Sequence, residues 1–132
     1  MVKSVFKLTV RGYELDSFGH VNNSVYLNYA EEAKWHFFEE TKTLGVIKEL
    51  GLFPVVLENN LRYIHELKLH DEVRIETSWS TKGKTLHFTH TIFNETENVK
   101  SCVVKGTIAF TDHERIMHDL PDELLQLEIL QK

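Results

Sequence analysis

The chain has one cysteine, two prolines and six glycines among 132 residues, and no long apolar run. Each scarcity removes a class of protein. A single thiol cannot build an intramolecular disulfide framework, and Cys102, inside the alternating run VKSCVVKGTIAF, reads as a small buried residue rather than a nucleophile. No Pro/Gly/Ser-rich linker, repeat or low-complexity tract marks a boundary, so residues 1–132 read as one domain. Nothing resembles a membrane span, and the N-terminus MVKSVFKLTV alternates polar and apolar instead of forming a signal-peptide block. The expected setting is cytoplasmic, with no membrane partner. Positive charge is also short: 15 Lys and Arg face 20 Asp and Glu, a net −5 with His neutral. A nucleic-acid binder usually carries a basic face, so none is expected as partner. Eight histidines invite a metal reading, yet there is no H-x-x-x-H spacing and no Cys/His/Asp cluster. His87 and His90 fall on opposite faces of one strand, and no metal site is expected.

What is present is an ordinary globular mixture, 42% apolar and 27% charged. From about Val2 to Arg11 the chain alternates, with Phe6, Leu8 and Val10 on one face of a strand. From Ser24 to about Thr41 the period changes to three and four: Tyr26, Tyr29, Ala30, Ala33 and Phe37 form one apolar stripe on a long helix. Lys34 and Glu31 fall on its other faces. Trp35, His36 and Phe38 lie off the stripe, where a subunit interface or a loop would meet them. A second helical turn is expected over Val46 to Leu50, ending at Gly51. The remainder reads as strands at Val55–Leu67, Val73–Ser80, Leu86–Asn94 and Val99–Thr111, joined by turns at Lys82-Gly83-Lys84 and Asn94–Asn98. Pro121 opens a short closing helix with Leu124, Leu125 and Ile129 on its apolar side. The order predicts an α+β fold: an antiparallel sheet of about five strands wrapped around one long central helix. An edge strand left free to pair with another copy predicts a homodimer, or a homotetramer built from it.

The segment Tyr13 to Glu32, YELDSFGHVNNSVYLNYAEE, carries the chemistry. Asp16 stands in a polar, glycine-containing loop just ahead of the long helix. A helix start offers unpaired N–H groups and the positive end of the helix dipole. A carboxylate beside that surface suits hydrolysis of a polarised carbonyl, or else it simply caps the turn. Asn22 and Asn23 suit helix capping or substrate contact, Gly19 a backbone conformation that a Cβ would hinder, and His20 a structural or substrate-facing place.

The run D-S-F-G-H-V-N-N-S-V-Y-L-N-Y from Asp16 to Tyr29, followed by A-E-E-A-K, resembles the signature of hotdog-fold thioesterases of the 4-hydroxybenzoyl-CoA thioesterase family. It is most similar to the acyl-CoA and acyl-carrier-protein branch, with motif D-x-x-G-H-V-N-N-x-x-Y-L-x-Y. Val55-Val56, Leu61-x-Tyr63 and His70-Asp71-Glu72-Val73 resemble the family's second strand and following turn. The resemblance implies the hotdog fold and hydrolysis of an acyl thioester. It makes Asp16 nucleophile or general base and the Asn23 N–H the leading oxyanion donor. Gly19, His20, Val21, Asn22 and Tyr26 are the surrounding substrate-binding candidates. The branch typified by the Tol–Pal-linked thioesterase carries histidine where this chain has Asn23, and His20 does not fill that slot. In the resembling fold the second strand pairs across a dimer and approaches the partner's active site. That nominates Glu58 and Asn60 as further substrate-binding residues, against a plain solvated edge. No cofactor is expected beyond coenzyme A as part of the substrate, whose phosphates would meet basic residues such as Arg62, Lys82 or Lys84. Acyl-CoA leads as substrate and acyl-carrier protein follows. Hydratase chemistry needs a differently placed His–carboxylate pair, and a non-catalytic acyl-thioester-binding scaffold is the remaining alternative.

Overall fold

The computed structural model describes residues 4–131, with side chains described through residue 128. Val2 of the expected first strand and the Ile129 side chain lie outside the described residues. The elements are β1 (Ser4–Thr9), α1 (Val25–Glu40), α2 (Thr43–Glu49), β2 (Phe53–Tyr63), β3 (Glu72–Lys82), β4 (Thr85–Asn94), β5 (Val99–Thr111), β6 (Met117–His118) and α3 (Asp122–Gln131). They form an antiparallel sheet in the order β1-β3-β4-β5-β2, with β6 added on β5.

The alternating strands set one face of this sheet against α1. Val73, Ile75, Thr77 and Trp79 of β3 point inward. So do Leu86, Phe88 and Ile92 of β4, and Cys102, Val104, Ile108 and Phe110 of β5. The expected helical stripe, Tyr26 to Phe37, is buried throughout. Cys102 is fully buried, and burial pushes its thiol up to about 11, the range of an inert packing residue.

Three expectations need correction, and one short strand is added to the sheet. Phe38 is not at an interface: it is completely buried, its ring 6.0 Å from Phe88 and 6.4 Å from Phe110. The helix widens its apolar face there because α2 and the C-terminal end of β5 close over it. Lys34 is also buried, at 5% exposure, with its ammonium 2.6 Å from Glu31 and 4.9 Å from the centre of the Trp35 ring. Its aliphatic stem packs inward while the charge is neutralised locally. The run Val55–Leu67 is not one strand. After Tyr63 the chain turns, with the N–H groups of Ile64 and His65 both donating to the Ser101 carbonyl (2.9 and 3.1 Å), and Leu67 enters the core separately. The sixth strand, two residues long, is too short to carry a period of two.

Strand β2 forms one edge of the sheet and β1 the other. Its register with β5 decides which of its side chains face the helix. Asn59 pairs with Gly106, whose neighbours Val104 and Ile108 point inward, so Asn59 points inward too. A Cβ on Gly106 would lie 2.8 Å from the Asn59 side-chain oxygen, so the glycine makes room for that amide.

Candidate active site

The chain leaving β1 makes a single 3₁₀ turn, Gly12–Glu14, before reaching the loop that carries Asp16. Glu14 anchors this approach from below. It is buried and accepts hydrogen bonds from the Tyr29 hydroxyl and the Arg11 N–H, each 2.8 Å, while the Arg11 guanidinium lies 2.8 Å from its other oxygen. Its carbonyl also accepts the Asn22 N–H at 2.9 Å. The loop above closes on itself: the Asp16 N–H donates to the His20 carbonyl (2.8 Å), and the Gly19 N–H to the Asp16 carbonyl (3.2 Å). Gly19 has φ of 81°, which a residue with a Cβ rarely adopts. The Val21 N–H then donates to the Leu67 carbonyl at 2.8 Å and ties the loop to the rest of the fold.

Asp16 is held by its own loop. Its Oδ1 accepts the N–H groups of Phe18 (2.9 Å) and His20 (3.2 Å). Among the described residues, nothing bonds Oδ2. Two fixed donors on one oxygen orient the carboxylate and leave the other oxygen to water or substrate. The Asn22 side-chain oxygen accepts the Ser24 N–H (3.1 Å) and hydroxyl (3.0 Å), a local turn just ahead of α1. Among the described residues the Asn23 N–H has no acceptor, whereas its carbonyl accepts the Tyr63 hydroxyl at 3.0 Å.

Asp16, His20, Val21, Asn23 and Tyr26 line one cleft of about 230 Å³, closed on the far side by Tyr63 through Glu66. Five of the sequence-nominated residues therefore meet. Gly19 and Asn22, also nominated, are not among the residues that line it. Tyr26 serves both core and cleft, buried at 4% exposure with its ring centre 5.3 Å from that of Tyr63 in an edge-on contact. Glu58 and Asn60 do not join them. They pair with Thr107 and Lys105 on the outer face of the sheet, and line a separate depression with His87 and Thr89. The inward polar residue of this strand is Asn59. Of the basic candidates, Arg62 is exposed and pairs with Val103, while Lys82 and Lys84 flank the β3–β4 turn. That turn is at the opposite end of β3 from Glu72, beside which β1 delivers the Asp16 loop.

The sequence reading missed His65 and Glu66. Both lie just past the end of β2, in a segment taken for continuous strand. His65 Nε2 is 2.6 Å from Glu97 on the β4–β5 turn, and Glu66 lies 3.6 Å from its Nδ1. The hydrogen bond to Glu97 holds the imidazole above its ordinary value, while a backbone hydrogen bond first and the His65 charge second hold Glu66 below its own. Among the described residues no three His, Cys, Asp or Glu side chains assemble as a metal site, and no helix is long and apolar enough to cross a membrane.

The profile of the thioesterase-like superfamily matches residues 10–127. The chain belongs to the thioesterase-like superfamily. Within it, this member is 29% identical over 112 residues to the acyl-acyl carrier protein thioesterase ATL3, chloroplastic, of Arabidopsis thaliana, covering 81% of this chain and 57% of ATL3. It is 35% identical over 69 residues to the long-chain acyl-CoA thioesterase FadM of Escherichia coli, covering 52% of each chain. These matches span little more than half the length of either relative. Its fold superimposes on the crystal structure of YbaW, a probable thioesterase from Escherichia coli, with a TM-score of 0.81, 26% identity, and 87% and 88% of the two chains covered. The architecture of this superfamily member is thus the hotdog fold of its thioesterase neighbours.

Proposed function

We propose that this chain hydrolyses acyl thioesters, with acyl-CoA as substrate, at the Asp16 cleft. One observation carries the reading: among the described residues, a carboxylate with one oxygen fixed and the other unbonded shares a cleft with the unpartnered N–H of Asn23 just ahead of α1. In the proposed reaction the thioester carbonyl oxygen accepts the Asn23 N–H, and negative charge develops there as oxygen attacks carbon. A single donor of that kind typically lowers the barrier by roughly 2.7–4 kcal/mol. Asp16 acts in one of two ways. Either Oδ2 attacks, expels the thiolate and leaves an anhydride that water then opens, or it takes a proton from a water that attacks directly. Both routes give a free acid and a thiol, and neither calls for a cofactor beyond the coenzyme A of the substrate. Tyr63, by holding the Asn23 carbonyl, keeps the peptide at the helix head in place.

Pairing of two copies through β2 completes the proposal. This strand is an edge, and it exposes Val55, Val56 and Leu57. Exposed apolar edges of this kind favour strand addition. An antiparallel β2–β2 contact makes a homodimer, and further association a tetramer, in which the cleft opens beside the second copy. Acyl-carrier protein is the second reading for the thiol partner, supported by the similarity to the acyl-acyl carrier protein thioesterase of Arabidopsis thaliana.

The test is thiol release from a panel of acyl-CoAs by wild type and Asp16→Asn. The expected loss in kcat is about 10²–10⁴-fold with the fold retained. Activity within about tenfold of wild type in a folded variant refutes the role of Asp16. Tight binding without release from any ester would instead identify a scaffold.

A further inference from the structure

The Asp16 cleft is small and polar, and a second cavity lies at the other end of the same helix and strand. It measures about 460 Å³, twice the volume of the cleft, and its walls are almost wholly apolar. Ile47 and Leu52, both buried, form its floor. Trp35, Leu44, Phe53 and His113 form its sides. The walls are braced. The Trp35 indole N–H donates to Glu31 at 3.1 Å, the Lys34 ammonium covers the ring, and the Phe53 ring meets His113 edge-on at 4.8 Å. Yet Trp35 and Phe53 stay 37% and 43% exposed, so the cavity presents apolar surface that the chain itself leaves uncovered.

Its position links it to the cleft. Helix α1 begins at the cleft, just after Asn23 and with Tyr26 in its first turn, and reaches the cavity at Trp35, about 15 Å along its axis from Val25. Strand β2 runs the other way, from Phe53 and Pro54 at the cavity to Tyr63 at the cleft. Between the two ends, Leu27 and Ala30 of α1 face Val56 of β2 across a narrow depression of about 30 Å³, on whose walls Glu31, Lys34, Asn59 and His90 also lie. Leu27 and Val56 are exposed there as well. A second copy paired on β2 closes this seam from outside.

We infer that the apolar cavity between α1, α2 and the start of β2 takes the far end of a long, unbranched acyl chain whose thioester sits at Asp16. This rests on the hydrolytic reading and adds chain length to it. The chain lies along the seam over Leu27 and Val56, and its end displaces water from the walls at Trp35 and Phe53. Each methylene that moves from water into such a site strengthens binding by about fourfold.

The test compares butanoyl-, octanoyl-, lauroyl- and palmitoyl-CoA as substrates of wild type and Leu44→Trp, whose larger ring fills the cavity. Palmitoyl-CoA should lose at least about tenfold in kcat/KM, the equivalent of two or more methylenes expelled, while butanoyl-CoA stays within about twofold. Should Leu44→Trp fail to fold, Lys48→Trp on the exposed rim fills the same space. Equal losses for the long and short esters, or no change in either, in a folded variant overturn the inference. The thioether hexadecyl-CoA separates it from the hydrolytic reading. If wild type cleaves no ester, weaker hexadecyl-CoA binding by the filled variant still supports the cavity. Unchanged binding of that thioether removes it.

Discussion

The two halves of α1 bury different aromatic residues. The first turns bury Tyr26 and Tyr29, and the last turns bury Phe37 and Phe38. Around the tyrosines the packing partners are slender: Ala30, Ala33, Val73, Ile75, Cys102 and Val104. Around the phenylalanines they are bulky: Trp79, Phe88 and Phe110 among others, with ring centres 5.1–6.4 Å apart. A tyrosine packs and also carries a hydroxyl. The Tyr29 hydroxyl uses it to hold Glu14, beneath the Asp16 loop, and burial together with that carboxylate drives its ionisation far above the ordinary range. Phenylalanine offers only packing, and its half of the helix supports α2, α3 and the apolar cavity. The polar end of one helix therefore braces the Asp16 loop, while its apolar end supplies packing against α2 and β5.

Breaking each half should have separable effects. Asp16→Asn has the largest expected effect, removing about 10²–10⁴-fold of turnover with little change in melting temperature. Phe38→Ala should do the reverse. It should cost about 3–5 kcal/mol of unfolding free energy, measured by urea titration, while the activity of each folded molecule is retained. The middle of the helix separates by pH. His90 is buried, bonded through Nδ1 to Thr77 at 2.8 Å, and held down to about 4 by burial first and the Lys34 charge second. The unfolded chain takes up that proton near the ordinary 6.5 and the folded chain does not. Stability is therefore full above about 6.5, falls as pH drops towards 4, and levels off below. The loss is on the order of 3 kcal/mol, and His90→Gln should flatten the corresponding part of the urea-midpoint profile.

Smaller effects sharpen the contrast within β2. Tyr63→Phe removes the hydrogen bond to the Asn23 carbonyl, and kcat/KM should fall by about fivefold, the worth of one such bond. Glu58→Gln and Asn60→Ala alter the outer face of the same strand. Acyl-CoA turnover should stay within about twofold of wild type for each, as for ordinary surface changes. A large loss in either would bring the outer face back into the site.

Much of the molecule was readable along the chain because the signals are local. The period of three and four over Tyr26 to Phe37 marks the buried stripe. Alternation marks β3, β4 and β5, and a carboxylate followed by glycine and two asparagines marks a turn into a helix head. Neighbours in sequence are enough to create those preferences. The inward places of Phe38 and Lys34 depend on α2 and β5 arriving from elsewhere, and no periodicity reports an arrival. Whether Glu58 and Asn60 or Asn59 faces the helix turns on the register of β2 against β5, where one step exchanges every side chain between faces. His65 reaches the cleft because Ser101, 36 positions away, holds its backbone. Short-range patterning decided which segments are helix and strand and where a reactive carboxylate could stand. Long-range pairing alone decided what surrounds it and how far the seam between α1 and β2 runs, because those contacts join residues whose spacing along the chain carries no mark of their meeting.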